Sequence, residues 1–314
     1  MIIISNLLNS CINNWGNSTL ENTYVNKYRT NISWSSLLAI IGTCMWVVEQ
    51  EIYILHGKNT YDNIRFNLLV ANVVWTFLLV LTIIYSYFIW TKYEQALGVR
   101  LTIERMSKSH FKSMWLEILI NIISPYPFLM NVTYKEYVYG VNLYIDKRID
   151  TILIWLMFAF RAYHIPRYLL YGSMYMSNRA VRVWRLYGHE WELMFAAKSV
   201  FNQSALTIFP ILYLAMVVAV GTLLHFNEQQ AYNQIPTLSN FNWSNSFWWS
   251  IITMSTVGYG DFFPKTDFGR AVGVWCTFIG VFLSSLSTVG LNKVLTFERG
   301  EWIAVRLIEF LDNK

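Results

Sequence analysis

The run Phe66–Trp90 holds 25 predominantly apolar residues without an Asp, Glu, Lys or Arg. That is enough helix to cross a ~30 Å hydrocarbon layer with some tilt. Five further apolar runs accompany it. Ile32–Tyr53 is free of charge until Glu49 and Glu51, Ser113–Met130 carries only Glu117, and Thr151–Met176 carries Arg161 and Arg167. Ser204–Phe226 and Ala271–Leu291 carry no charge. The pattern predicts six spans and an all-α membrane protein, and it argues against a single soluble core. Composition agrees: 14% of residues are charged, against about 25% in a soluble domain. Aromatics make up 17% of the chain, which suits a protein with two membrane interfaces to populate.

Lys and Arg set the expected orientation. With the N-terminus inside, the inner segments hold 15 of them and the outer loops seven, the bias expected of short cytoplasmic loops. The net charge of +5 is therefore a topology signal, and no nucleic-acid partner is expected. Met1–Leu8 is short and lacks basic residues, so no cleavable signal peptide is expected. Cys11, Cys44 and Cys276 are too few and scattered for a disulfide framework or a metal site. Among the sequons, Asn131 and Asn242 fall on the outer side, whereas Asn17, Asn31 and Asn202 fall inside and would stay unmodified.

Between the fifth and sixth runs, Phe247–Ser255 is apolar and long enough for more than two helical turns. It leads into Thr256-Val257-Gly258-Tyr259-Gly260-Asp261. Closely spaced backbone carbonyls can replace the hydration shell of a potassium ion if the peptide planes all point inward. Gly258 and Gly260 supply the backbone freedom this requires, and Thr256 adds a hydroxyl oxygen. A helix, a Gly-rich loop and a flanking span on either side resemble the pore signature of potassium channels. The resemblance implies K+ sites at Thr256, Val257, Gly258 and Tyr259, with Gly260 completing the filter. It also implies that Trp248 and Trp249 form a cuff bracing Tyr259 and Asp261. One loop supplies a quarter of a carbonyl ring, so three further copies or related subunits are the expected partners, besides membrane lipid.

Several stretches outside the filter are similar to the small-conductance calcium-activated potassium channel family. They are Val47–Ile52 at the end of span one, Leu116–Leu119 followed by Ile123–Pro127, Phe160–Arg167 in span four, and Lys293, Leu295 and Glu301 after span six. The resemblance implies calcium and calmodulin as partners, with Arg179, Arg182 and Arg185 in the linker as calmodulin contacts. A basic juxtamembrane segment facing anionic lipid is the simpler reading of those arginines. The filter departs from that family's usual Ser-Ile-Gly-Tyr-Gly, and Pro166 interrupts span four where the family has an ordinary helix former. The tail Glu298–Lys314 is too short for the family's whole calmodulin-binding unit, although Trp302, Val305, Ile308 and Leu311 keep a near-helical period. Weak or no calmodulin binding by that tail is expected.

Span four carries only Arg161 and Arg167. A voltage sensor uses several Arg at every third position, each contributing about 2.3 kcal/mol per 100 mV. Pairing with Glu117, Glu49 or Glu51 is the expected role here, because charges inside membranes find partners. Gly280 reads equally as a gating hinge or a tight helix contact. Ser284 and Thr288 share a helical face suited to the cavity below the filter, and His225 reads as an interface residue. No catalytic constellation stands out, so no enzyme is expected.

The expected organisation is a cytoplasmic segment 1–31, a four-helix membrane domain 32–176, a linker 177–203, a pore domain 204–297 and a tail 298–314. The expected function is a potassium-selective channel subunit of the calcium-activated type in the plasma membrane. Two alternatives stay open: a voltage-gated channel with a degenerate sensor, and a non-conducting regulatory subunit of a longer relative.

Overall fold

The structure, a computed structural model, describes residues 2–57, 62–96, 103–177 and 193–296, with residues 180, 300, 303 and 306. Linker residues Arg179, Arg182 and Arg185 lie outside the described residues, as do Glu301, Trp302, Val305, Ile308 and Leu311 of the tail. The described chain is dominated by helices: α1 (Ile2–His56), α2 (Asp62–Ala96), α3 (Ile103–Ile122), α4 (Asp150–Arg161), α5 (His164–Gly172), α6 (Leu193–Gln234), α7 (Trp243–Met254) and α8 (Asp267–Leu295). Among the described residues, four helices are long and apolar enough to cross a membrane: Asn22–His56, Asp62–Gln95, Thr207–Gln234 and Asp267–Asn292. The protein is a multi-pass membrane protein with a mostly helical fold.

The third and fourth expected spans are not single long apolar helices. The helix of Ser113–Met130 ends at Ile122, and a 3-10 turn follows at Pro127–Leu129. Pro125 and Pro127 each lack an N–H and hold the preceding residue out of helical geometry. Thr151–Met176 is divided between α4 and α5, with the break at Ala162–Tyr163. Pro166 sits in the first turn of α5, where its missing N–H leaves no helical bond unmade. Arg161 thus ends α4 and Arg167 lies in α5, on separate helices. Helix α1 also runs unbroken through the segment assigned to 1–31.

A feature absent from the sequence reading is a two-stranded hairpin, β1 (Thr133–Val138) and β2 (Leu143–Arg148). Its turn carries positive φ at Gly140 (89°) and Asn142 (55°), two residue types that tolerate left-handed backbone. Buried Lys147 and Glu136 pair at 2.6 Å across the strands.

The chain forms two compact units. The first comprises 1–137 and 142–197, the second 138–141 and 198–314. In the first, α1 and α2 pack along each other around Ala39, Leu79 and Ile83, with Ile118 of α3. A second core joins Tyr28, Ile32 and Ile89, flanked by Trp90 and Tyr171.

Its polar side chains are also buried. Glu49 accepts from Arg65 Nε at 3.1 Å and Arg148 Nη1 at 3.3 Å. Arg148 also pairs with Asp150, and both arginines stack on the Tyr53 ring. Arg167 Nη1 meets Glu117 Oε1 at 2.5 Å, and Tyr87 and Tyr163 donate to the same carboxylate. Arg161, by contrast, has no carboxylate among the described residues. It donates to Thr76 Oγ1 at 2.8 Å and passes close to Gly42, where an added Cβ would stand 2.8 Å from Nη1.

In the second unit, α6 carries Pro210 and a non-helical residue, Ser204 (φ −128°, ψ 35°). The hairpin-turn residues belong here: Val138 bridges to Thr266, Tyr139 N donates to Lys265 O, and Arg270 lies 3.5 Å over the Tyr139 ring.

Candidate ion-conduction site

Helix α7 starts four residues before the apolar stretch that announced it. Asn242 caps its N-terminus, its Oδ1 accepting from Asn245 N at 2.9 Å, which satisfies one of the four free N–H groups of the first turn. The amide oxygen of this sequon is thus committed to the helix. The helix is held from the side by α6 and α8. Gly221 of α6 faces the Phe247 ring, and Gly280 of α8 lies against the Met254 backbone, where an added Cβ would stand 2.6 Å from the carbonyl oxygen. Of the two readings of Gly280, close contact is the one its surroundings display, within an uninterrupted α8.

At its C-terminus the helix hands its free carbonyls to the loop. Thr256 N donates to Thr253 O, and Val257 N and Gly258 N both donate to Ile252 O, at 3.0 and 3.1 Å. The next residues alternate in backbone hand. Thr256 (φ 62°), Gly258 (58°) and Gly260 (77°) are positive, with Val257 and Tyr259 between them negative. Alternating hand turns successive peptide planes the same way, so that N–H groups gather on one side and carbonyls on the other. Such a row of oxygens fits a weakly hydrated monovalent cation. The sequence identified the two glycines. It gave no sign that Thr256, a β-branched residue, would also adopt left-handed backbone, a conformation such residues rarely hold without an imposed constraint.

Residues 255–261 are exposed in the single chain, with Tyr259 at 68%. Trp248 Nε1 donates to Asp261 Oδ2 at 2.8 Å, and its ring stacks on Tyr259 at 5.9 Å between centroids. Trp249 points elsewhere: it is buried, with its ring beside Gly273 of α8. The two tryptophans expected to act together therefore occupy different settings within one chain. Ser284 and Thr288 are exposed on α8, their hydroxyls donating to Val281 O and Ser284 O one turn back.

Two supporting roles escaped the sequence reading. Glu228, near the end of α6, is buried and accepts from Thr266 N, Thr266 Oγ1 and Lys265 N. It ties the segment leaving the filter to the helix before it. Thr266 in turn caps α8 through Gly269 N. His225, read as an interface residue, is buried at 3%, with Nδ1 2.7 Å from Phe241 O and its ring stacked on Trp243. Only the proximity of Glu228 and His225 to the end of an apolar run hinted at either role, and that hint does not name a partner.

Residues 212–297 match the Ion_trans_2 family, described as "Ion channel". The chain is similar to the voltage-gated potassium channel regulatory subunit KCNF1 of Homo sapiens, 34% identical over 111 residues, covering 33% of this chain and 21% of the relative. It is 36% identical over 77 residues to the human voltage-gated potassium channel KCNC3, covering 23% and 10% of the two chains. It is 48% identical over 42 residues to human potassium voltage-gated channel subfamily A member 6, covering 13% and 8%. The chain thus spans about a fifth or less of the length of these relatives, and the similarity is to potassium channel subunits with an ion channel domain over residues 212–297.

Proposed function

We propose that this chain is a pore-forming subunit of a potassium channel that assembles from four copies or related subunits. The observation that carries the reading is the alternation of backbone hand from Thr256 to Gly260 at the end of α7. It gives each copy a row of carbonyls suited to replacing water around K+. Ions pass down their electrochemical gradient by mutual displacement between sites at Thr256, Val257, Gly258 and Tyr259. The C-terminal end of α7 adds the negative pole of its dipole beneath them.

The regulatory-subunit alternative has one specific observation in its favour, the name carried by the KCNF1 relatives. The calcium-activated subtype draws no such support, since the relatives named above are voltage-gated channels or their subunits. Calcium and calmodulin control remains a finer proposal resting on the resemblance in spans one, three and four.

Expression of the chain alone in cells lacking other potassium currents tests the reading. A current whose reversal potential follows the potassium gradient, with sodium nearly excluded, is expected. A current carried equally by both ions sinks the filter assignment. Silence alone, with altered current from a co-expressed relative, selects the regulatory subunit.

A further inference from the structure

We propose that a groove between α1 and α5 binds a phosphate group through Arg29, at the level of a membrane headgroup layer. The groove belongs to the first unit and has a volume of about 370 Å³. Asn26, Arg29, Thr30 and Ser33 of α1 line it with Tyr168 and Tyr171 of α5. The α1 residues recur at three- and four-residue steps, so one helical face supplies them all.

Arg29 is held in a defined pose. Its Nε donates to Tyr171 O at 2.9 Å, a carbonyl in the last turn of α5 that has no intrahelical partner. Its two terminal nitrogens make no hydrogen bond or ion pair among the described residues, and no carboxylate lines the groove. A planar guanidinium fixed at Nε presents a pair of N–H donors suited to the oxygens of a phosphate. Thr30 and Ser33 spend their hydroxyl protons on Asn26 O and Arg29 O. Arg29 is then the cationic donor of the groove, beside the Asn26 side chain and with the half-exposed phenol of Tyr168 across from it.

The depth of the site follows from helix geometry. Arg29 precedes Glu49 by twenty positions on one unbroken helix, about 30 Å of rise and so about the thickness of the hydrocarbon layer. Glu49 anchors the charged cluster at one boundary, which places Arg29 at the other. Aromatic rings gather at that level: Tyr28 contacts Trp90 and Tyr171, and Trp90 contacts Tyr93, as expected of an interfacial belt. A cation near lipid is costly without a partner, and a headgroup phosphate supplies one. The Lys and Arg distribution predicts that this is the inner leaflet, the side rich in anionic lipid.

The full-length protein, purified into nanodiscs of phosphatidylcholine containing phosphatidylinositol 4-phosphate, tests the site by counting retained lipid. This readout is independent of any current, so the site and the channel reading fail separately. Selective retention of the phosphoinositide is expected, falling about tenfold in Arg29→Gln, the loss of a charge-assisted bond. Lys27→Gln, an exposed neighbour outside the groove, should keep it. Thr30→Trp fills the groove while leaving the Arg29–Tyr171 bond, and should also lose retention if Arg29→Gln fails to fold. Displacement of the lipid by millimolar inositol 1,4-bisphosphate assigns recognition to the phosphate itself. Retention against that competitor assigns it to the phosphate on a membrane lipid. Equal retention by wild type, Arg29→Gln and Thr30→Trp, or no preference over phosphatidylcholine, overturns the proposal.

Discussion

The second unit and the first both place polar groups where lipid would forbid them, but with different parts of the chain. In the second unit the chemistry is in the backbone: φ alternates in sign through 256, 258 and 260 after α7 and turns successive carbonyls the same way. Side chains such as Glu228 and Trp248 hold that backbone in place. In the first unit the backbone is ordinary helix and hairpin, and the polar content is side-chain charge, much of it closed into pairs. Glu49 with Arg65 and Arg148, and Glu117 with Arg167, are examples. A backbone site needs particular residues at particular positions, so it leaves a motif. A paired-charge network needs only complementary partners meeting in space, so it leaves almost none.

The sharpest way to break this contrast is Gly258→Ala. Within the single chain a Cβ meets no atom within 4 Å at that position, so the intrachain effect is that of the left-handed φ of 58°, which costs an L-residue about 1–2 kcal/mol. Loss of potassium-selective current, with normal surface expression, is expected in patch recordings paired with surface labelling. Retained selectivity would mean that the filter tolerates a different backbone.

After that loss of current comes the largest loss of stability, Glu49→Gln, which leaves two buried guanidinium groups without their shared carboxylate. Breaking a buried pair costs about 3–5 kcal/mol, so surface expression and the thermal midpoint of the purified protein should collapse. Channels that do reach the surface should select potassium normally. A stable protein with altered selectivity would erase the division between the units.

Glu228→Gln weakens three bonds to the segment after the filter, and a charge-assisted hydrogen bond is worth about 1.5–3 kcal/mol. The expected result is a lower thermal midpoint together with unstable conduction, since this residue supports the backbone site. An effect on stability alone would make it a packing residue.

A double-mutant cycle on Glu117 and Arg167 should give a coupling of about 1–2 kcal/mol in thermal unfolding. Arg161→Gln should show no coupling to Glu117. Neither substitution should change the slope of a conductance–voltage curve. Flattening of a steep curve with intact assembly would restore the degenerate voltage sensor. The smallest effect expected is that of Trp248→Phe, which removes one half-exposed bond to Asp261 worth about 0.5–1.5 kcal/mol. Single-channel open times read it, and unchanged kinetics would confine Trp248 to packing.

Much of the segment from α7 to Asp261 was legible because its demands are local. Gly258 and Gly260 are required by φ, and Phe247–Ser255 shows its apolar helix directly. Thr256 is the exception: its left-handed backbone is imposed by the bonds that Ile252 and Thr253 carbonyls make to the loop. The hairpin at 133–148 was also written locally, in the turn signal Gly140-Val141-Asn142, but was passed over beside longer apolar runs. The division of span four was half legible, since Pro166 announced a break without fixing it at Ala162–Tyr163.

Apolar run length by itself determined that this is a multi-pass membrane protein, because transfer into lipid depends on composition along the chain. Gly258 and Gly260 determined where left-handed backbone can form after α7, because that φ preference belongs to glycine itself. Only the tertiary structure decided which charges meet. Of Arg161 and Arg167, one found Glu117 and the other Thr76, a choice that depends on where α1, α2 and α3 stand around a broken helix. Only packing decided that Gly280 lies against Met254 and that Glu228 anchors Thr266, because each is a contact between positions far apart in the chain.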